Sequence, residues 1–258
     1  LLEDNNNRRR KNRMNFIGPS TISLEMKHLL SNPDKTIPNI NNLYTVTEKA
    51  DGERHLLFIN EIGKIYILDI NLNVKFTGCV TNDDDCYNSI LDGELVLFNK
   101  NGEFINWFLI FDVYVSGKKD FRQYPFMPVK NEKMKYESPD IDKNKFRFRE
   151  MNKLAQKLSY DNIKNIIKNK EPPMVFKAKK FEHNLNSPIY EKCADILEKN
   201  RSLEYETDGL IFTPIDKSVG SRKLGVLEKT KTWNLSFKWK PPQYNTIDFL
   251  VTTKKNDN

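Results

Sequence analysis

Lys49 is the residue in this chain best suited to covalent chemistry. It closes the β-like run of residues 44–49, and a second run resumes at Leu56. Asp51 and Gly52 between them form a turn pair. The spacing predicts a strand, a tight loop and a strand, paired as a hairpin. Lys49 would end one strand and Arg54 would begin the next. A lysine on a rigid strand end can act as a nucleophile once its charge is suppressed. With an ordinary pKa of ~10.4, only about one such ammonium in 2,500 is neutral at pH 7. A neighbouring arginine suits a hydroxyl or a phosphate. An ordinary charged hairpin has the same composition, so partners elsewhere in the chain must decide.

Asp-Gly recurs at 92–93 and 208–209. On extended chain Asp92 and Glu94 share a face, and a carboxylate there can accept hydrogen bonds from a sugar hydroxyl. Glu206 and Asp208, also two apart, suit a hard divalent cation with oxygen ligands. Phe237 and Trp239 alternate with Lys238 and Lys240. The rings would anchor the strand, and the ammonium groups are spaced for an oligophosphate. Phe111 lies in the apolar run 108–114 and by itself reads as core. Asp112 in that run needs partners, because a buried carboxylate is costly alone. Taken singly, the Asp-Gly pairs also fit exposed turns.

In order, these stretches resemble the motifs of the covalent nucleotidyltransferases, which include the polynucleotide ligases and the mRNA capping guanylyltransferases. Residues 49–54, Lys-Ala-Asp-Gly-Glu-Arg, are similar to the Lys-x-Asp-Gly-x-Arg signature. Residues 91–94, 108–114 and 206–213 resemble the third, the aromatic and the fourth motifs. Residues 238–241, Lys-Trp-Lys-Pro, followed by Asn245, Thr246, Ile247, Asp248 and Phe249, resemble the capping form of the fifth. Gly18-Pro19 with residues 22–25, and residues 179–181 (Lys-Lys-Phe), are similar to two further capping segments. The resemblance covers about residues 17–251.

It implies that Lys49 attacks the α-phosphate of GTP and that the lysyl-linked GMP passes to an RNA 5′-diphosphate end. Arg54, Glu94, Phe111, Lys238 and Lys240 would then bind the nucleotide, Glu94 at the ribose and Phe111 on the purine. Lys179, or its neighbour Lys177 or Lys180, would donate to guanine O6, where adenine presents a donor. Asp208, helped by Glu206, would lie near a divalent metal, Mg2+ or Mn2+. Asp51, Asp112 and Asp248 would support the site. The family's Arg-x-Asp-Lys motif, carried by a C-terminal OB-fold domain, is not found in this sequence. That closing domain is therefore an expected partner, and RNA triphosphatase and methyltransferase domains are candidates for the same polypeptide. The alternatives are an ATP-dependent ligase adenylation domain and an inert RNA-binding scaffold.

The implied fold is α+β, a nucleotidyltransferase domain (ATP-grasp-like, DNA-ligase-like) of antiparallel β-sheets with flanking helices. It would span 16–258 after a basic polar arm at 1–15. Residues 90–98 and 104–115 read as strands, the second buried. Helices are expected at 23–30 with Ser23 as N-cap, at 147–159, after Asp161 with Ile163, Ile166 and Ile167 apolar, and from Ser187 to about Glu198. Strands return at 174–181, 208–215 and 235–251.

The chain has 258 residues, enough for one large domain. Its net charge of +7 favours polyanionic partners. No apolar run approaches ~18 residues, so no membrane partner is expected. Three cysteines without metal spacing suggest a reducing compartment. The expected location is intracellular: host cytoplasm or virion if viral, as richness in Asn and Lys suggests, and the nucleus if cellular.

Overall fold

The computed structural model describes residues 16–31, 33–129 and 134–244. The basic arm at 1–15 and residues 245–249, including Asp248, lie outside the described residues.

The strands are β1 (Ser20–Ser23), β2 (Tyr44–Ala50), β3 (Glu53–Ile59), β4 (Lys64–Leu68), β5 (Val74–Thr81), β6 (Ser89–Phe98), β7 (Phe104–Ser116) and β8 (Lys119–Asp120). Then come α1 (Arg147–Lys157), β9 (Ile163–Asn165), β10 (Val175–Ala178), β11 (Glu182–His183), α2 (Ile189–Lys199), β12 (Thr207–Pro214) and β13 (Thr232–Trp239). They form two sheets. One runs β1-β13-β12-β2-β11; the other runs β10-β7-β6-β3-β4-β5-β9, with β8 added beside β7.

The α+β class holds, but the sheets are mixed rather than antiparallel. β1 runs parallel to β13, and β10 parallel to β7. The hairpin expected around Asp51 is not a hairpin. β2 pairs with β12 and β11 in the first sheet, whereas β3 pairs with β4 and β6 in the second. Asp51-Gly52 is the step from one sheet to the other. A Cβ on Gly52 would lie 2.6 Å from the Leu95 carbonyl, so the crossing needs glycine.

Each sheet packs a helix on its outer face. On α1, Met151, Leu154 and Ala155 enter the core of the larger sheet with Phe108, Ile110 and Val113. On α2, Ile189 and Ile196 cover Val46, Leu210, Phe212 and Phe237 of the smaller sheet. The expected 147–159 helix is thus present, its apolar face inward.

Two other helices are not. Ser23 ends β1, and the helical turn that follows is a short 3-10 segment, Met26–His28, closed by Glu25 N–H donating to His28 Nδ1 at 3.0 Å. After Asp161 the chain forms β9 against β5, with Ile163 buried and Ile166 and Ile167 exposed. β-branched residues fit an edge strand, and pairing with a distant strand overrides local apolar spacing.

Candidate active site

A cleft between the sheets collects most of the predicted residues. Its first wall is the end of β2 and the start of β12. Gly209 faces Lys49 and Thr207 faces Ala50, so Asp208 is an extra residue in β12, a β-bulge. The bulge turns the Asp208 carboxylate toward both neighbouring strands. Lys49 Nζ donates to Asp208 Oδ1 at 2.7 Å, and Lys240 Nζ lies 2.6 Å from Oδ2. Gly209 has a φ of +150°, and a Cβ there would lie 1.9 Å from the Trp239 carbonyl, so a side chain would close the bulge. Burial alone would raise the Asp208 carboxyl, but hydrogen bonds from Lys240 and Lys49 hold it below the usual carboxylate range.

The second wall repeats the device. Asp92 faces Asp112 and Gly93 faces Ile110, which makes Phe111 the extra residue of β7. The bulge reverses the strand's alternation. Before it Phe108 and Ile110 enter the core; after it Val113 does. Phe111 is left half-buried beside the Arg54 guanidinium, 5.8 Å from its ring, and Tyr114 also faces Arg54. Phe111 is therefore not the core residue that its apolar run suggests. The Asp-Gly pairs at 92–93 and 208–209 are strand residues at bulges, not exposed turns.

Arg54 is already engaged. Its Nη2 and Nε bind the fully buried Asp92 at 2.6 and 3.1 Å, and Nη1 donates to the Pro19 carbonyl at 2.9 Å. The Tyr114 hydroxyl donates to the same carboxylate. The Phe16 ring lies 5.3 Å from the guanidinium. Glu94 sits opposite Arg54 in the β3–β6 ladder. Burial pushes its carboxyl up to about 7, against the pull of Lys179 and Lys49.

Lys179 follows β10, and its amide extends the ladder to the Ile110 carbonyl at 2.8 Å, beside Phe111. Its buried ammonium donates to the Glu48 backbone carbonyl and lies 3.4 Å from the Glu48 carboxylate. That carboxylate also accepts from Tyr205 at 2.9 Å and Thr47 at 2.8 Å. Of the three candidate lysines, only Lys179 enters the cleft. Lys177 lies over the Trp107 ring, 3.0 Å from its centroid, and Lys180 is exposed.

Several candidates are not brought in. Glu206 is exposed ahead of β12, where its carbonyl accepts from the Asp51 amide at 2.9 Å. The bulge at Asp208 breaks the two-residue alternation that would have paired the two carboxylates. Asp51 is exposed at the crossing and Lys238 on the strand surface. Asp112 binds Arg147 Nε at 2.9 Å, away from Lys49, and anchors the first residue of α1. Among the described residues, no three His, Cys, Asp or Glu side chains are gathered to hold a metal. One carboxylate, Asp208, is enough for a cation whose other ligands are water and phosphate oxygens, the usual setting of Mg2+.

Glu48, Tyr114, Tyr205 and Arg147 were not found from the sequence. Glu48 alone left a signal, as a carboxylate inside an otherwise uncharged run just before Lys49. Among the described residues, no helix is long and apolar enough to cross a membrane.

The sequence pattern of the "mRNA capping enzyme, catalytic domain" family matches residues 6–242. A "Probable mRNA-capping enzyme" of Acanthamoeba polyphaga mimivirus is 30% identical across 92% of this chain and 22% of that protein. The "mRNA-capping enzyme subunit alpha" of Schizosaccharomyces pombe is 28% identical across 92% of this chain and 53% of that protein. The chain thus spans about a fifth to a half of these relatives' lengths. Among solved structures, the ligase domain of M. tuberculosis LigD is similar with a TM-score of 0.48 at 10% identity, covering 87% of this chain and 59% of that one. With its catalytic-domain pattern matched from residue 6 to residue 242, this chain belongs to the mRNA capping enzyme catalytic-domain family.

Proposed function

We propose that this chain is an mRNA guanylyltransferase domain and that Lys49 is its nucleophile. The observation that carries the reading is the Lys49–Asp208–Lys240 cluster at the mouth of a cleft whose other wall presents Phe111, Glu94 and Lys179. The neutral Lys49 amine attacks the α-phosphate of GTP. A P–N bond forms, the α–β phosphoanhydride breaks, and pyrophosphate leaves. The diphosphate end of an RNA then displaces the lysine and takes the GMP.

Asp208 holds Lys49 Nζ by a hydrogen bond of 2.7 Å. An entering triphosphate competes for Lys240 and Lys49 and loosens that hold. A Mg2+ or Mn2+ held by Asp208 would neutralise phosphate charge. Phe111 stacks on the purine. Stacking is worth ~1–3 kcal/mol per base and does not choose between purines. The choice falls to Lys179. An ammonium has three donors; the Glu48 carbonyl takes one, the Glu48 carboxylate lies 3.4 Å away as its counter-charge, and a donor remains for guanine O6. Adenine meets it with a donor.

Incubation with labelled GTP, followed by mass spectrometry, should place one GMP on Lys49. Attachment to another residue, or labelling by ATP in preference to GTP, would overturn this assignment, and the ATP result would favour ligase chemistry.

A further inference from the structure

The smaller sheet has a second working end. β2 and β12 pair from Lys49–Gly209 to Tyr44–Pro214. Five residues of strand, ~17 Å, separate Lys49 from a groove of about 1610 Å3 at the far end. Five cations line the groove: Lys35, Arg149, Lys153, Lys217 and Arg222. Among the described lining residues Asp216 is the one carboxylate, and it binds Lys217 at 2.8 Å. Lys153 lies 3.5 Å from Asp85, with both side chains about half exposed, so that pair is weak. Here cations outnumber anions, whereas in the cleft Lys49, Lys240, Arg54 and Lys179 are set against Asp208, Asp92, Glu48 and Glu94.

The lining also carries half-buried rings. Phe148 and Phe181 meet edge to face, with centroids 5.9 Å apart. Gln156 and Asn186 line the same groove and are exposed. Cations that follow a backbone, rings that accept a base and amides that meet base edges together fit single-stranded nucleic acid. A phosphorylated peptide would use the cations and leave the rings and amides idle.

We propose that this groove binds the body of a single-stranded RNA whose 5′ end lies at Lys49. The inference rests on the guanylyltransferase reading for its direction, and on the groove's own chemistry for its ligand. At 3.4 Å per stacked nucleotide, ~17 Å corresponds to about five nucleotides. Acceptors shorter than that would miss the groove.

The test measures binding of the full chain to 5′-diphosphate RNAs of 2 and 12 nucleotides by fluorescence anisotropy across a salt series. The variant carries Arg149→Gln, Lys153→Gln and Arg222→Gln. Its binding of the 12-mer should weaken about tenfold at low salt, and its log–log salt slope should fall by about 2, from three lost phosphate contacts at ~0.7 each. Binding of the 2-mer and GMP labelling of Lys49 should not change. Native affinity and slope for the 12-mer in the variant would overturn the proposal. So would a phosphoserine peptide whose binding depends on these three residues when that of RNA does not. Loss of 12-mer binding in a chain that never labels with GTP would support the groove as an RNA site and refute the guanylyltransferase reading.

Discussion

Asp208 and Asp112 are both buried carboxylates at bulges, one in each sheet, and both bind cations. Their surroundings differ. Asp208 is matched by two lysines whose side chains keep 23% and 34% of their exposure. Asp112 is matched by Arg147, which is fully buried and also donates to the carbonyls of Tyr124 and Lys217. The Val113 amide completes the pair from the other side. Burial acts to raise both carboxyls. The two lysines overcome it at Asp208, whereas at Asp112 it prevails over Arg147 and the carboxyl is pushed up.

The difference separates exchange from anchorage. A lysine is a flexible point charge that can change partners at a wet cleft mouth. A guanidinium held by a carboxylate and two carbonyls has nowhere else to go. The chain thus keeps one type of charge pair at an open cleft mouth and uses another to fasten α1 to β7.

The largest effect should come from Lys49. Lys49→Ala should abolish the GMP adduct and shift the melting temperature little, a stability change of about 0.5 kcal/mol or less, since the side chain is partly exposed and Asp208 keeps Lys240 as its partner. Lys49→Arg keeps the charge, cannot shed its proton, and should be equally inactive. An active arginine variant would break the comparison at its centre.

Next comes Arg147→Met. Urea unfolding should show a loss of ~3–5 kcal/mol, because Asp112 is left as a buried charge without its partner. Asp208→Asn should cost under ~1 kcal/mol, since both lysines can turn to water. Equal losses would mean that the Asp208 cluster is an anchor too.

Base selection should be smaller. Calorimetry should favour GTP over ATP by ~1–3 kcal/mol, the range for a good edge contact. Lys179→Met should remove that preference, and Glu48→Gln should weaken it by leaving the ammonium poorly aimed. Preference for GTP surviving in Lys179→Met would move base reading to another group.

The smallest expected effect is at Glu94. Its carboxyl is raised from about 4.5 to about 7 by burial. A carboxyl raised on folding favours the folded state below its unfolded value, and that contribution is lost as pH rises through about 7. Glu94→Gln should therefore match the native melting temperature at pH 4.5 and exceed it at pH 8, by on the order of 2–4 °C for each kcal/mol recovered. A flat difference across that window would show that Glu94 stays solvated in the cleft.

Much of the site's chemistry was legible because it is local. Residue type and two-residue alternation placed Lys49 at a strand end and the rings of β13 on one face, and α1 followed from its apolar spacing. The reading failed where a partner was distant. The Asp51-Gly52 step looks like a hairpin turn in sequence, yet its two strands take hydrogen bonds from different sheets. Arg147 gave no sign that it would be the partner of Asp112, 35 residues earlier.

The sequence by itself determined which groups can attack, stack and carry charge, because those are properties of side chains and short spacings. Only the tertiary structure decided which of them meet. Phe111 and Asp208 reach the cleft because one extra residue in each strand reverses the alternation behind it. A bulge exists only against a partner strand: it is a mismatch between two registers, and a single stretch of sequence contains only one.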